Sequence, residues 1–280
     1  MRVGIGLPNT FSGTDRDCML TWARQADEGP FSSVGVLDRL VYDCQEPMIT
    51  LAAVAGVTSR VRLATTIIAG PLRNTAVLAK QAATLDVLSG GRLTLGLALG
   101  AREEDYQTAR VDYGSRGSRL TEQLAALRSY WEDESFGPKP VQSGGPEVLV
   151  GGLTDRAFAR VARYADGYVY GGGPPRAFAR VAAKVRAAWT DAGRPQQPRL
   201  WAMSYYAFGN EGGETGANYL RDYYAFTGPF AERIAAGLLT TPQAIAHLMR
   251  GYEEEGCDEL LLFPTVADTA QLERLADMIG

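Results

Sequence analysis

Two neighbouring stretches of this chain obey one grammar. EVLVGG, residues 147–152, is an aliphatic run ending in glycines, and Leu153-Thr154-Asp155 leads from it into the helical pattern RAFARVARY. Asp166-Gly167 breaks that helix, YVYGGG repeats the strand-and-glycine pattern, and Pro174-Pro175 opens a second RAFARVA at Arg176. Proline suits a first helical turn, where its missing N–H is no loss. Ala157, Val161 and Tyr164 fall on one helical face. A solenoid would need at least three copies, and no third copy of the heptapeptide occurs. What repeats is strand–loop–helix, and tandem units of that kind build a parallel sheet with crossover helices.

The same grammar runs both ways from this point. Strands are expected at 3–7, 33–37, 61–68, 92–99, 147–152, 168–173, 200–208 and 259–263. Helices are expected at 14–28, 47–57 and 74–88, after Thr241-Pro242, and from Asp268 onward. Eight βα units in a chain of 280 residues predict a (β/α)8 TIM barrel as a single domain, residues 1–280. An open doubly wound sheet is the rival, and eight units favour closure. Two segments interrupt the rhythm: 100–146 after strand four, with a helix at 119–132, and 209–241 after strand seven. Both follow strand C-termini, the face where barrels carry their chemistry. Long ordered loops in a compact domain are commonly functional.

The charge balance of −4 gives no basic footprint for nucleic acid. No apolar run approaches the length of a membrane span, and MRVGIGLPN reads as a strand, not a secretory leader. Cys18, Cys44 and Cys257 are scattered and odd in number, which fits reduced thiols in the cytoplasm. His247 is the one histidine. That argues against a multi-histidine metal site and a histidine-centred triad, and no metal is expected.

Residues 61–100, VRLATTIIAGPLRNTAVLAKQAATLDVLSGGRLTLGLALG, carry a more specific signal. The run PLRN followed by AKQAATLD and LSGGRL, with DR at 38–39, GG at 151–152 and ADG at 165–167 in the same order, resembles the bacterial luciferase-like flavin-dependent oxidoreductases. The resemblance covers nearly the whole chain. It implies a barrel that binds FMN or the deazaflavin coenzyme F-420, usually as a homodimer, with a non-proline cis peptide under the central ring at the end of strand three. Here that bond would be Thr66–Ile67.

The cofactor phosphate needs a cation or a helix N-terminus. Gly151, Gly152, Leu153 and Thr154 lie between a strand and its helix, where glycines let backbone amides approach an anion. Arg116 matches the arginine that relatives project from the loop after strand four, with Arg119 the second choice. Gly100, closing strand four, joins the cofactor set. Each of these residues could instead be a turn or a solvated side chain. Gly171, Gly172 and Gly173 read better as a plain turn. Asp38, at the end of strand two, is a candidate for the cofactor's pyrimidine edge and for catalysis, or else it caps a helix. Asn9 is a candidate substrate contact or a turn residue. Tyr223 and Tyr224 are candidate substrate contacts within an aromatic run, with Tyr219, Phe226 and Phe230, that is partly core and partly lid. His247 reads as structural.

Departures from the family pattern matter. Luciferases proper place a histidine just after strand two, where this chain has Arg39, which becomes a catalytic candidate. Some deazaflavin dehydrogenases add a glutamate ending strand four. Ala101 stands there, with Glu103 and Glu104 the nearest acids. Hydride transfer between the reduced cofactor and a small organic substrate is the leading expectation. The alternatives are a two-component FMN monooxygenase served by a separate flavin reductase, a flavin-binding protein without turnover, and a barrel enzyme acting on phosphorylated sugars. The last usually binds phosphate after strands seven and eight, and FPTVAD at 263–268 has no glycine to cradle one.

Overall fold

The computed structural model describes residues 1–280, the side chain of Asn210 excepted. Eight parallel strands close into a barrel: β1 (Arg2–Gly6), β2 (Ser33–Val36), β3 (Arg62–Thr65, resuming at Ile68–Ala69), β4 (Leu93–Ala98), β5 (Glu147–Gly151), β6 (Gly167–Tyr170), β7 (Arg199–Tyr206) and β8 (Glu259–Pro264). The ends meet through Leu63 opposite Leu93 and Ala64 opposite Thr94. The expected barrel is therefore present. Strand three is not the continuous run expected over 61–68. It breaks at Thr66–Ile67, whose peptide bond is cis.

Alternation sorts the side chains. On β7, Trp201, Met203 and Tyr205 point into the barrel, while Leu200, Ala202 and Tyr206 pack outward against helices. On β8, Leu261 and Phe263 point in and Leu260 and Leu262 point out. This is the period-2 rule of a strand buried on both faces. Small residues opposite make the room: a Cβ on Gly6 would lie 2.7 Å from Cε1 of Phe263, so glycine on β1 is what lets that ring fill the barrel.

The helices are α1 (Arg16–Glu28), α2 (Pro47–Ala55), α3 (Thr75–Leu88), α4 (Glu103–Ala109), α5 (Arg116–Glu132), α6 (Asp155–Tyr164), α7 (Pro175–Asp191), α8 (Asn210–Tyr223), α9 (Phe230–Ala236), α10 (Pro242–Glu254) and α11 (Thr269–Ile279). Thr154, Thr241 and Asp268 accept an amide of the first turn as N-caps, as serine, threonine and aspartate characteristically do. Three differences from the sequence reading concern the mouth. α4 was not anticipated, α5 begins three residues earlier than 119, and the stretch expected as a loop after strand seven is mostly helical, folding as α8 and α9. None of the described helices is long and apolar enough to cross a membrane.

Candidate functional site

The site is built from the C-terminal ends of the strands. On the β1–β3 side two polar residues lock the loops. Asn9 is fully buried. Its amide donates to the carbonyls of Leu37 (2.8 Å) and Gln45 (3.3 Å), and its oxygen accepts the Leu37 amide at 3.1 Å. All of its obvious valences go to backbone, which satisfies groups that burial would otherwise leave unpaired. Asp38 forms a two-pronged ion pair with Arg73 at 2.8 and 3.0 Å and accepts the amide of Ala69 at 2.9 Å. It caps no helix and instead ties the end of β2 to the segment just past β3. Arg73 also reaches Glu46 at 3.2 Å.

Between these anchors lies the Thr66–Ile67 step. Thr66 donates to the Val36 carbonyl at 3.3 Å. Ile67 is half-buried at the mouth, between two glycines. A Cβ on Gly96 would sit 2.6 Å from its Cγ2, and one on Gly151 would sit 2.5 Å from its Cδ1. Glycine at those two strand positions is thus what lets Ile67 seat there.

The second component is a roof. α8 and the segment to α9 lay tyrosines over the inner barrel cluster of Leu37, Trp201, Met203, Tyr205 and Phe263. Tyr219 shares a 2.6 Å hydrogen bond with Thr10, and Tyr224 shares one of the same length with Tyr205. Tyr42, from the loop after β2, donates to Asp222 at 2.6 Å. Tyr219 and Tyr223 stack at 5.7 Å between ring centroids. Burial pushes the phenols of Tyr205, Tyr219 and Tyr223 well up; it does the same for Tyr42, where Asp222 adds to the effect. All four are therefore neutral hydrogen-bond donors at physiological pH. Phe226 and Phe230 stay exposed at the rim.

Two arginines hold the roof down. Arg39, its side chain only 7% exposed, pairs with Glu104 at 2.5 Å and donates to the carbonyls of Val41 (3.2 Å) and Tyr223 (3.3 Å). Arg102 donates to the same Tyr223 carbonyl at 3.3 Å. That carbonyl lies at the C-terminus of α8, the end of a helix that favours cations. Both guanidiniums also lie against the Tyr223 ring, at 5.5 and 4.8 Å.

The third component faces the loops after β4 and β5. Gly100 adopts φ +74°, a conformation glycine takes without strain. The Tyr113 hydroxyl donates to the Ala101 carbonyl at 3.2 Å, and Arg116 stacks 3.6 Å over the Tyr113 ring while donating to the Tyr113 carbonyl at 2.5 Å. Arg116 is thereby held beside the end of β4, at the first position of α5. Arg119 turns elsewhere, donating to Pro71 at 3.1 Å. Gly152 takes φ +133°, Leu153 is 68% exposed, and Thr154 caps α6. A cleft of about 350 Å³ runs between α5 and α6, where Arg156 and Arg160 share the lining with Ser118, Thr121 and the acid Glu122.

The structure therefore gathers Asn9, Asp38, Arg39, Thr66, Tyr223 and Tyr224 on one side of the mouth, and Gly100, Arg116 and the 151–154 loop on the other, with Ile67 between. His247 is exposed on α10 and takes no part. Among the described residues no cluster of histidine, cysteine and carboxylate side chains could hold a metal. Sequence reasoning passed over Arg102, Tyr42 and Tyr205. Arg102 had a signal, being a single cation directly before the acidic run EED.

The description "luciferase-like monooxygenase" names the family whose model matches residues 1–270. The chain belongs to that family. An uncharacterised protein of Mycobacterium tuberculosis is 28% identical over 233 residues, covering 71% of this chain and 81% of the relative. Among solved structures, a monooxygenase from Streptomyces bottropensis superposes with a TM-score of 0.79 at 19% identity, covering 99% of this chain and 97% of the other. An F-420-dependent secondary alcohol dehydrogenase, solved with an F-420–acetone adduct, gives 0.79 at 15% identity with both chains fully covered. At such identities these two likenesses speak to the fold, which hosts both oxygenation and dehydrogenation.

Proposed function

We propose that this chain is a flavin- or deazaflavin-dependent oxidoreductase that moves a hydride between reduced FMN or coenzyme F-420 and a small organic substrate. The observation that carries the reading is Arg39. It stands where luciferases proper use a histidine, and it is a buried, ion-paired guanidinium. Such a group does not give up a proton in proteins, so the acid–base role of a histidine is not reproduced at that place. Hydride transfer asks less of the protein: exclusion of water and two carbons held in line, which positioning alone promotes strongly.

The residues present suit the cofactor. Ile67, Ala98 and Gly152 are half-buried at the mouth and offer an apolar shelf for a ring. Arg116 and the 151–154 loop would take the phosphate. When bound, the cofactor would supply the hydride. The chain's own contribution would be the shelf, the anion contacts and a roof whose neutral phenols can donate to a substrate oxygen while keeping water out. Asp38, locked to Arg73, would act by positioning the loop past β3. Tyr223 and Tyr224 would form the substrate's upper wall. A separate flavin reductase enters only under the monooxygenase reading, which the same dry roof also favours.

The test is turnover with a deuterium-labelled reduced cofactor, run once without oxygen and once under oxygen-18. Deuterium at carbon in the product under anaerobic conditions supports hydride transfer. Oxygen-18 in the product, with no anaerobic turnover, would replace it by oxygenation. Cofactor binding with neither would leave a flavin carrier.

A further inference from the structure

Among the described residues, Arg102 has no carboxylate within 4 Å. Every other arginine at this mouth has a carboxylate within 4 Å or is given over to backbone and ring contacts at its own helix: Arg39 has Glu104, Arg73 has Asp38 and Glu46, and Arg116 lies on Tyr113. Arg102 has one polar contact, the Tyr223 carbonyl, and is clasped between the rings of Tyr223 at 4.8 Å and Phe226 at 4.2 Å. Two acids on the neighbouring elements are engaged elsewhere. Asp105 accepts the Val41 amide at 2.7 Å, and Asp222 accepts the Tyr42 hydroxyl. The Nε–H groups of both Arg39 and Arg102 are buried without an acceptor. Burying a guanidinium donor unpaired is costly, and here two such donors flank one tyrosine.

We propose that Arg39 and Arg102 together form the seat for the carboxylate of an organic acid. The proposal rests on reading this mouth as the substrate site and narrows its substrate to small anions with an apolar or aromatic body. A carboxylate has two acceptor oxygens, enough to serve both guanidiniums, and its negative charge makes it a stronger acceptor than the neutral peptide carbonyl that both now share. The rings of Tyr42, Tyr223 and Phe226 already hold the guanidinium planes and would flank the ligand's body. Arg102 is half-buried and Phe226 above it is 39% exposed, so the seat lies at the rim of the roof, next to solvent. The anion could alternatively belong to the cofactor, and the test separates these sources.

Titrate the full-length protein calorimetrically, with and without FMN or F-420, using benzoate and 3-phenylpropionate against their amides. Benzoate or 3-phenylpropionate should bind at least about tenfold tighter than its amide, the scale of one charge-assisted hydrogen bond. Arg102→Met should abolish that preference, Arg102→Lys should restore part of it, and the FMN dissociation constant should stay within about twofold. Thermal unfolding of each variant controls for folding. No preference for acid over amide in the wild type would overturn the proposal. So would an acid preference that survives in Arg102→Met, or a loss of FMN binding in that variant without loss of the acid preference, which would assign the anion to the cofactor. A clear acid preference in a chain that binds neither cofactor would keep the seat and sink the redox reading.

Discussion

Replacing Asp38 by asparagine probes whether this acid is structural or chemical. Its side chain is 5% exposed, and it makes the two-pronged pair with Arg73, whose side chain is 19% exposed, plus the Ala69 amide contact. Breaking one side of a buried ion pair costs about 3–5 kcal/mol, because a charge is left behind. Two features reduce that here. Arg73 keeps Glu46 at 3.2 Å, and an asparagine oxygen can still accept from Ala69. The expected loss is about 2–3 kcal/mol, measured as the change in urea midpoint at unchanged slope. The double variant with Arg73→Met should cost less than the sum of the two single changes, since it removes both charges. A loss below about 0.5 kcal/mol together with abolished turnover would refute the reasoning and return Asp38 to a catalytic role.

Other outcomes follow from particular contacts. Arg116→Ala should weaken cofactor binding by about 1.5–3 kcal/mol, the value of a charge-assisted hydrogen bond, while Arg119→Ala should not; the reverse ranking in a fluorescence titration would move the phosphate toward Pro71. Asp27 accepts the amides of Val61, Ser59 and Arg60. Burial opposes them, but they hold its carboxyl below the ordinary range. A depressed folded-state value means stability that is present above the unfolded-state pKa and lost as pH falls through the folded one. Asp27→Asn should therefore be less stable at pH 7 and show a flatter decline from about pH 4 downward, and unchanged acid unfolding would contradict this. Ile49 on α2 and Val77 on α3 are 69% and 55% exposed, an apolar face suited to a second copy of the chain. Ile49→Asp should shift sedimentation from dimer to monomer, and a wild-type monomer would dismiss the pairing.

The barrel was legible because its punctuation is local. Glycines after strands, Pro174-Pro175 and the caps at Thr154, Thr241 and Asp268 each mark a boundary without help from distant residues. The misreadings arose where packing overrides local preference. NEGGETGANYLRDY holds three glycines and reads as a loop, yet it folds as α8 on the roof. A Cβ on Gly216 would lie 3.0 Å from Leu238 Cδ2 and from Thr265 Cβ, so glycine there permits a close approach that offsets its poor helix propensity. GSRGSR hid the start of α5 in the same way. The Thr66–Ile67 step was legible only through family resemblance, since TTII by itself reads as uninterrupted strand. The site was half visible. Arg39 and the tyrosine run could be named from sequence. Asp38's partner could not, because Arg73 lies 35 residues away and no local pattern links them. Arg102's role depends on Tyr223, which is more remote still.

The most direct test of the whole account is cofactor titration of the purified chain with FMN, reduced FMN and coenzyme F-420, followed by flavin or deazaflavin fluorescence or absorbance. The account predicts that one of them binds with a dissociation constant below about 1 μM, near −8 kcal/mol, and that Arg116→Ala weakens that binding. Dissociation constants above about 100 μM for all three would contradict it.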